Sequence, residues 1–202
     1  MEIFVLLLMV AAFSAWQLKS KNQARRMALL DGFLGRYQIE KRMENLIEAY
    51  LGALEEKDPE RQTRLWAMLA VSEEQLCRQV RRFAEDFSAV DEADACVSKL
   101  PAFLPETDRF FPANTFDLRR ALVVHAEGME RVAKNAQGRS PRDKAYTLSA
   151  ELLLMQHTCH WYRHSRAAAS AHMSARHQTP YQQLLASVDP QTRQAYLAVI
   201  GR

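Results

Sequence analysis

Glycine is scarce in this chain, with six in 202 residues, and cysteine scarcer still, with three. So little glycine leaves few positions for left-handed turns or for loops that let a backbone close on phosphate. No GxxxxGK[ST], GxGxxG or GxSxG motif occurs. Nucleotide binding through a P-loop or a Rossmann turn is thereby excluded, as is an α/β-hydrolase elbow. Residues branched at Cβ are also few: Val, Ile and Thr total 22, against 53 Ala and Leu. That balance favours helix over strand and predicts an all-α chain.

Cys77, Cys96 and Cys159 lie far apart and form no CxxC pair. An odd number cannot all pair within one chain, so a disulfide framework is not expected. The three read as small buried apolar side chains in a reduced, cytoplasm-facing domain. Long apolar runs are missing too, with one exception. Fourteen of the sixteen residues Ile3 to Leu18 are apolar, and no second run approaches membrane length, which excludes a polytopic membrane protein. A charged fraction of 25% beside 48% apolar residues also excludes a disordered chain. The chain beyond Leu18 is long enough for one domain with a sizeable core, or at most two small ones.

Between Glu2 and Lys19 the run carries no charge. As a helix it measures about 24 Å, short of the roughly 30 Å of a bilayer core. An interfacial Trp16 and snorkelling Lys19 and Lys21 make up part of the difference. Lys19, Lys21, Arg25 and Arg26 follow with no acid before Asp31, which predicts an outside start, one crossing, and a cytoplasmic domain at the inner membrane. A secretory signal peptide is the rival. It lacks a basic residue ahead of the run, and its cleavage pattern at Ala12-Phe13-Ser14 is weak.

Helix punctuation is legible after the anchor. Asp58-Pro59, Ser140-Pro141, Thr179-Pro180 and Asp189-Pro190 each pair an N-cap acceptor with proline at the first helical position. Ser72 with Gln75 has capping-box spacing, Asn114 with Asp117 supplies a related start, and Gly138 is placed as a stop. These signals predict a membrane helix over 1–18, a basic juxtamembrane segment continuing as helix over 19–57 with a candidate break at Asp31-Gly32, and a bundle over 58–202. Helices are expected at about 59–70, 73–95, 115–137, 141–174, 180–187 and 190–200. Apolar stripes at helical spacing support them, among them Leu76, Val80, Phe83 and Phe87, and Leu148, Leu152, Met155, Cys159 and Tyr162.

Residues 100–113 contain three prolines and the apolar Phe103, Leu104, Phe110 and Phe111. Proline forbids regular helix there, and the aromatics are too apolar for a solvated linker. Either the loop is pinned to the bundle, or it docks a protein partner. The C-terminal third is basic and holds five of the six histidines. A basic surface of that kind suits anionic lipid or an acidic partner. A net charge of +3 without interleaved aromatics gives no reason to expect nucleic-acid binding.

His157, His160 and His164 fall within a 60° arc if one helix carries them all, at about 100° per residue. Two of them, His160 and His164, have the i, i+4 spacing of a zinc-chelating pair. No HExxH or ExxH is present, so neither a zincin nor a ferritin-like di-iron centre is indicated. His125, Glu127 and Glu130 complete a site only if the fold brings them close. Two functions are therefore expected. The first is a non-enzymatic membrane protein, held by lipid at residues 3–18, that serves as scaffold, assembly factor or accessory subunit and needs neither catalytic residues nor a cofactor. The alternative is a sensor or enzyme holding zinc or haem on His157, His160 and His164.

Overall fold

In a computed structural model of the chain, residues 2–100 and 112–201 are described. They are mostly helical, as the scarcity of β-branched residues predicts. Helix α1 spans Glu2–Tyr37, α2 Ile39–Glu55, α3 Pro59–Phe87 and the short α4 Glu92–Ala95. Strand β1, Cys96–Ser98, pairs antiparallel with β2, Thr115–Asp117, with Val97 opposite Phe116. Then come α5 Leu118–Lys134, α6 Pro141–Arg163, α7 Arg166–His177, α8 Tyr181–Ser187 and α9 Pro190–Ile200.

The caps explain many of these boundaries. Asp58, Ser140 and Asp189 each accept a backbone N–H of the following first turn, with proline at its start. Thr179 does not act this way: Pro180 stands at the N-cap of α8 without a side-chain bond. The expected break at Asp31-Gly32 is absent. α1 runs through it and ends where Gln38 adopts φ 52°. Ser72 and Gln75 lie inside α3, because the stripe from Leu69 through Leu76 to Val80 buries without interruption. That helix stops at Phe87 rather than near residue 95, and residues 88–95 become a turn and α4. Helix α5 ends at Asn135 with φ 49°, three residues before the positive-φ Gly138. The expected helix over 141–174 divides at His164.

Helix α6 is the centre. Twelve of its residues are buried, and α1, α2, α5, α7, α8 and β1 pack on it. An amphipathic helix has one buried stripe, whereas α6 buries most of its circumference. Around it α3 pairs with α2 and α5, and α9 closes over α5 and β2. Helix α1 joins through Arg26, Leu30 and Leu34, spaced at i, i+4 and i+8. Phe33 continues that face, its ring 5.2 Å from Phe87, which in turn meets Tyr162 edge-on at 6.3 Å. Full burial of one such side chain is worth about 1.5–3 kcal/mol.

Two buried polar knots tie helices together. Glu73 accepts from the Tyr50 hydroxyl at 2.7 Å and pairs with the Lys144 ammonium, linking α2, α3 and α6. Asp189 accepts from Arg139 at 2.7 Å, and its own backbone N–H donates to Glu151 Oε1 at 3.0 Å. Burial pushes the Glu151 carboxyl up to about 7. Gly128 makes this second knot possible. A Cβ there would lie 2.9 Å from Glu151 Oε2 and 3.0 Å from Thr192 Cγ2, so α5 reaches α6 and α9 only without a side chain. Among the described residues no helix is long and apolar enough to cross a membrane. The expected span falls on the first part of α1, where many side chains lie outside those described.

Gly128→Ala should lower stability in urea unfolding by about 1–3 kcal/mol, despite the helix preference for alanine, because overpacking displaces Glu151 and Thr192. An unchanged urea midpoint would show that α5 shifts without cost.

Candidate functional site

The expected histidine face does not assemble as drawn. Helix α6 ends at Arg163, and His164 turns out of it with φ −130° and ψ −94°. The 60° arc required a continuous helix through His164 and therefore fails. His157 is fully buried away from the other two, with Nε2 3.2 Å from Ser170 Oγ and its ring 4.6 Å from that of Tyr181. Burial, and then the charge of Arg166, lower it to about 3.

His160 and His164 do meet, at 4.6 Å between ring centres, and a residue from α7 joins them. The His172 ring stacks on His160 at 4.5 Å with 15° between planes. This trio lines a cleft of about 250 Å³ between the α1–α2 junction and the α6–α7 turn. Leu34, Ile39 and Met43 form its apolar side, and Gln156 its polar one. Arg163 bonds to Asp31 at 2.5 Å and Glu40 at 3.2 Å, and Arg176 to Glu44 at 2.5 Å, so carboxylates of α1 and α2 offset both guanidiniums.

The His160 ring is neutral at pH 7. Burial, then the neighbouring His164, His172 and Arg163, lower His160 to about 4. His164 is lowered for the same reasons, burial first, and its Nδ1 lies 3.0 Å from Gln23 Nε2 on α1. With the amide placed so, the amide donates and Nδ1 accepts, which leaves the ring proton on Nε2. Among the described residues no three His, Cys, Asp or Glu side chains stand ready to hold a metal ion. Neutral His160 leaves a ring-nitrogen lone pair in the cleft, a chemistry suited to a hydrogen-bond donor.

The other expected residues scatter. His125 is fully buried, its Nε2 3.0 Å from Thr158 Oγ1; Glu130 pairs with Arg81 on α3, and Glu127 is exposed. None of the three lines the cleft. Arg25 and Arg26, expected at the lipid headgroups, serve the bundle: Arg25 bonds Asp94 at 2.5 Å, and Arg26, 8% exposed, lies over the Tyr162 ring at 4.7 Å. An aromatic face and a carboxylate at the docking end of α1 account for both. Lys21 is exposed. The side chains of Trp16 and Lys19, and the loop residues Phe103, Leu104, Phe110 and Phe111, lie outside the described residues.

His172, Gln23 and Gln156 escape sequence reading because they join the site across helices. One local signal points toward His172: Ser165 caps α7 by accepting from Ala168 N–H at 3.2 Å, so an N-cap at Ser165 marks a new helix that folds back.

Because the folded value of His160 lies below its ordinary 6.5, the unfolded chain takes the proton first as pH falls. Stability present above about 6.5 is therefore lost toward about 4. His160→Gln should make that acid loss shallower in urea midpoints measured across the window; an unaltered slope would show that the ring protonates freely. No family model, curated protein or solved structure matches the chain, so the reading of this cleft rests on its own geometry.

Proposed function

We propose that the chain is a non-enzymatic, membrane-tethered helical bundle, a scaffold, assembly factor or accessory subunit that works through protein contacts. One observation carries this reading. Phe4, Met9, Val10 and Phe13 are between 57% and 68% exposed, and at about 100° per residue they spread around α1 rather than along one stripe. A helix docked on a protein surface has one apolar face; one apolar around its circumference suits lipid. The same helix continues into the bundle through Arg26, Leu30 and Leu34, so one continuous helix would join the two environments.

Lys19 and Lys21 follow the apolar run, which supports a cytoplasmic bundle at the inner membrane by the positive-inside rule. Lipid is thus the first partner, along residues 3–18, and a protein the second. The Pro/Phe-rich segment 100–113 remains the proposed contact for that protein, on the strength of its composition. The one thiol lining the cleft, Cys159, is buried, and burial pushes it up to about 12, far from a reactive thiolate, which supports a role without covalent catalysis there.

Cell fractionation tests the tether. The full chain should sediment with membranes, resist extraction by high salt and alkaline carbonate, and be released by detergent. Deletion of residues 2–18 should move it to the supernatant with its helical circular dichroism retained. Recovery of the full chain in the supernatant would end this proposal.

A further inference from the structure

We propose that the outward face of α2 docks a basic amphipathic helix of a partner protein. The inference rests on the reading of the chain as a protein-contact module. It adds a surface on the bundle and the chemistry of what that surface takes.

Helix α2 carries two apolar stripes, one residue apart. Ile39, Met43, Leu46, Tyr50 and Ala53 form the first and are buried, with α3, α1 and α6 packed on the helix. Ile47, Leu51 and Leu54 form the second, at i, i+4 and i+7. At 100° per residue it is turned about 90° from the first. Ile47 is half-buried, but Leu51 is 58% exposed and Leu54 42%. One stripe is enough to join a helix to its own fold. A second stripe at the same spacing, left open, has the anchor pattern by which one helix receives another.

Charge decides the occupant. Glu44, Glu48 and Glu55 are exposed, and each projects within about 60° of Leu51. An acidic edge therefore runs beside the apolar stripe for roughly 17 Å. From Met43 to Glu56 the chain holds four glutamates and no lysine or arginine. Arg176 takes Glu44 and Arg61 takes Glu56, whereas Glu48 and Glu55 have no ion-pair partner among the described residues. A second copy is the wrong occupant, because a two-fold pairing of this face sets glutamate against glutamate. Anionic lipid is wrong for the same reason. A helix with an apolar stripe and lysines or arginines along one edge matches both halves of the surface.

The chain supplies its own example of the match. Arg176, in the basic last turn of α7, donates to Glu44 at 2.5 Å. Helix α7 thus ends against the first acid of the edge, and the next two stay open to a basic helix from elsewhere. A single helix on this face makes a small contact, of the weak and salt-sensitive class.

Photo-crosslinking of the full chain, in the cells that make it, tests the proposal. Benzoylphenylalanine is placed at Leu51 or Leu54, at Arg193 as an exposed control on α9, and at Phe110 in the Pro/Phe-rich segment. Irradiation should join the Leu51 and Leu54 positions, and not Arg193, to one protein. Its cross-linked peptide should carry net positive charge and apolar residues at i, i+3 or i+4, and i+7. Glu48→Lys combined with Glu55→Lys should cut the adduct at least tenfold. Glu48→Gln with Glu55→Gln, checked by circular dichroism, should weaken it less and guards against a misfolded lysine variant. No adduct above the Arg193 level overturns the proposal. An adduct with lipid, with a second copy or with an acidic peptide does so too, as does one that survives the charge reversal. Cross-linking through Phe110 alone places the failure in this surface and leaves the scaffold reading standing; absence at every position counts against both.

Discussion

Burial of α6 over most of its circumference is the constraint on which the rest depends. A helix so enclosed cannot expose its polar residues, so each must find a partner inside the core. Glu151 takes the backbone N–H of Asp189, Thr158 donates to Leu154 O and meets both His125 and Tyr196, and His157 meets Ser170. These bonds specify which helices lie where. α9 is held at Glu151 and Thr158, α5 at His125, and α7 at His157. Hydrophobic burial supplies most of the stabilisation, but it is indifferent to register; the hydrogen bonds are not.

The same constraint makes the cleft. Because α6 is central, its last turn emerges between α1 and α2 on one side and the returning α7 on the other. The ion pairs of Arg163 and Arg176 hold those walls together. Exposed pairs of this kind contribute little to stability. Their effect here is positional, since they join α6 and α7 to α1 and α2 around the histidines. Gln23 extends the connection to α1, so the helix proposed to enter lipid also touches a cleft ring.

Much of the fold is legible in the chain. Paired cap and proline residues mark the starts of α3, α6 and α9 because the capping bond spans only two or three residues. Stripes such as Leu76, Val80 and Phe83 are legible for the same reason: helical periodicity is a local property. Less legible are the places where tertiary burial overrides local signals. Ser72 and Gln75 carry a capping-box spacing that never forms, because continuous burial through Leu69, Glu73 and Leu76 keeps α3 unbroken. The β1–β2 pair also escaped, since two three-residue strands give too short a pattern and acquire meaning only when Val97 meets Phe116. Arg26 looked like a headgroup anchor beside Lys21, and only the Tyr162 ring shows why it is buried.

By itself, the sequence determined an all-helical bundle, several helix starts and one long run apolar around its circumference, because each depends on residues within a few turns of one another. That His160 and His164 meet follows from their i, i+4 spacing, but that His172 rather than His157 joins them was decided only by tertiary structure. His157 and His160 are neighbours in sequence, yet α6 turns one into the core and the other into a cleft. His172 arrives from a separate helix because the chain reverses at His164 and Ser165. Side chains that share a site across such a reversal leave no spacing in the sequence from which to read them.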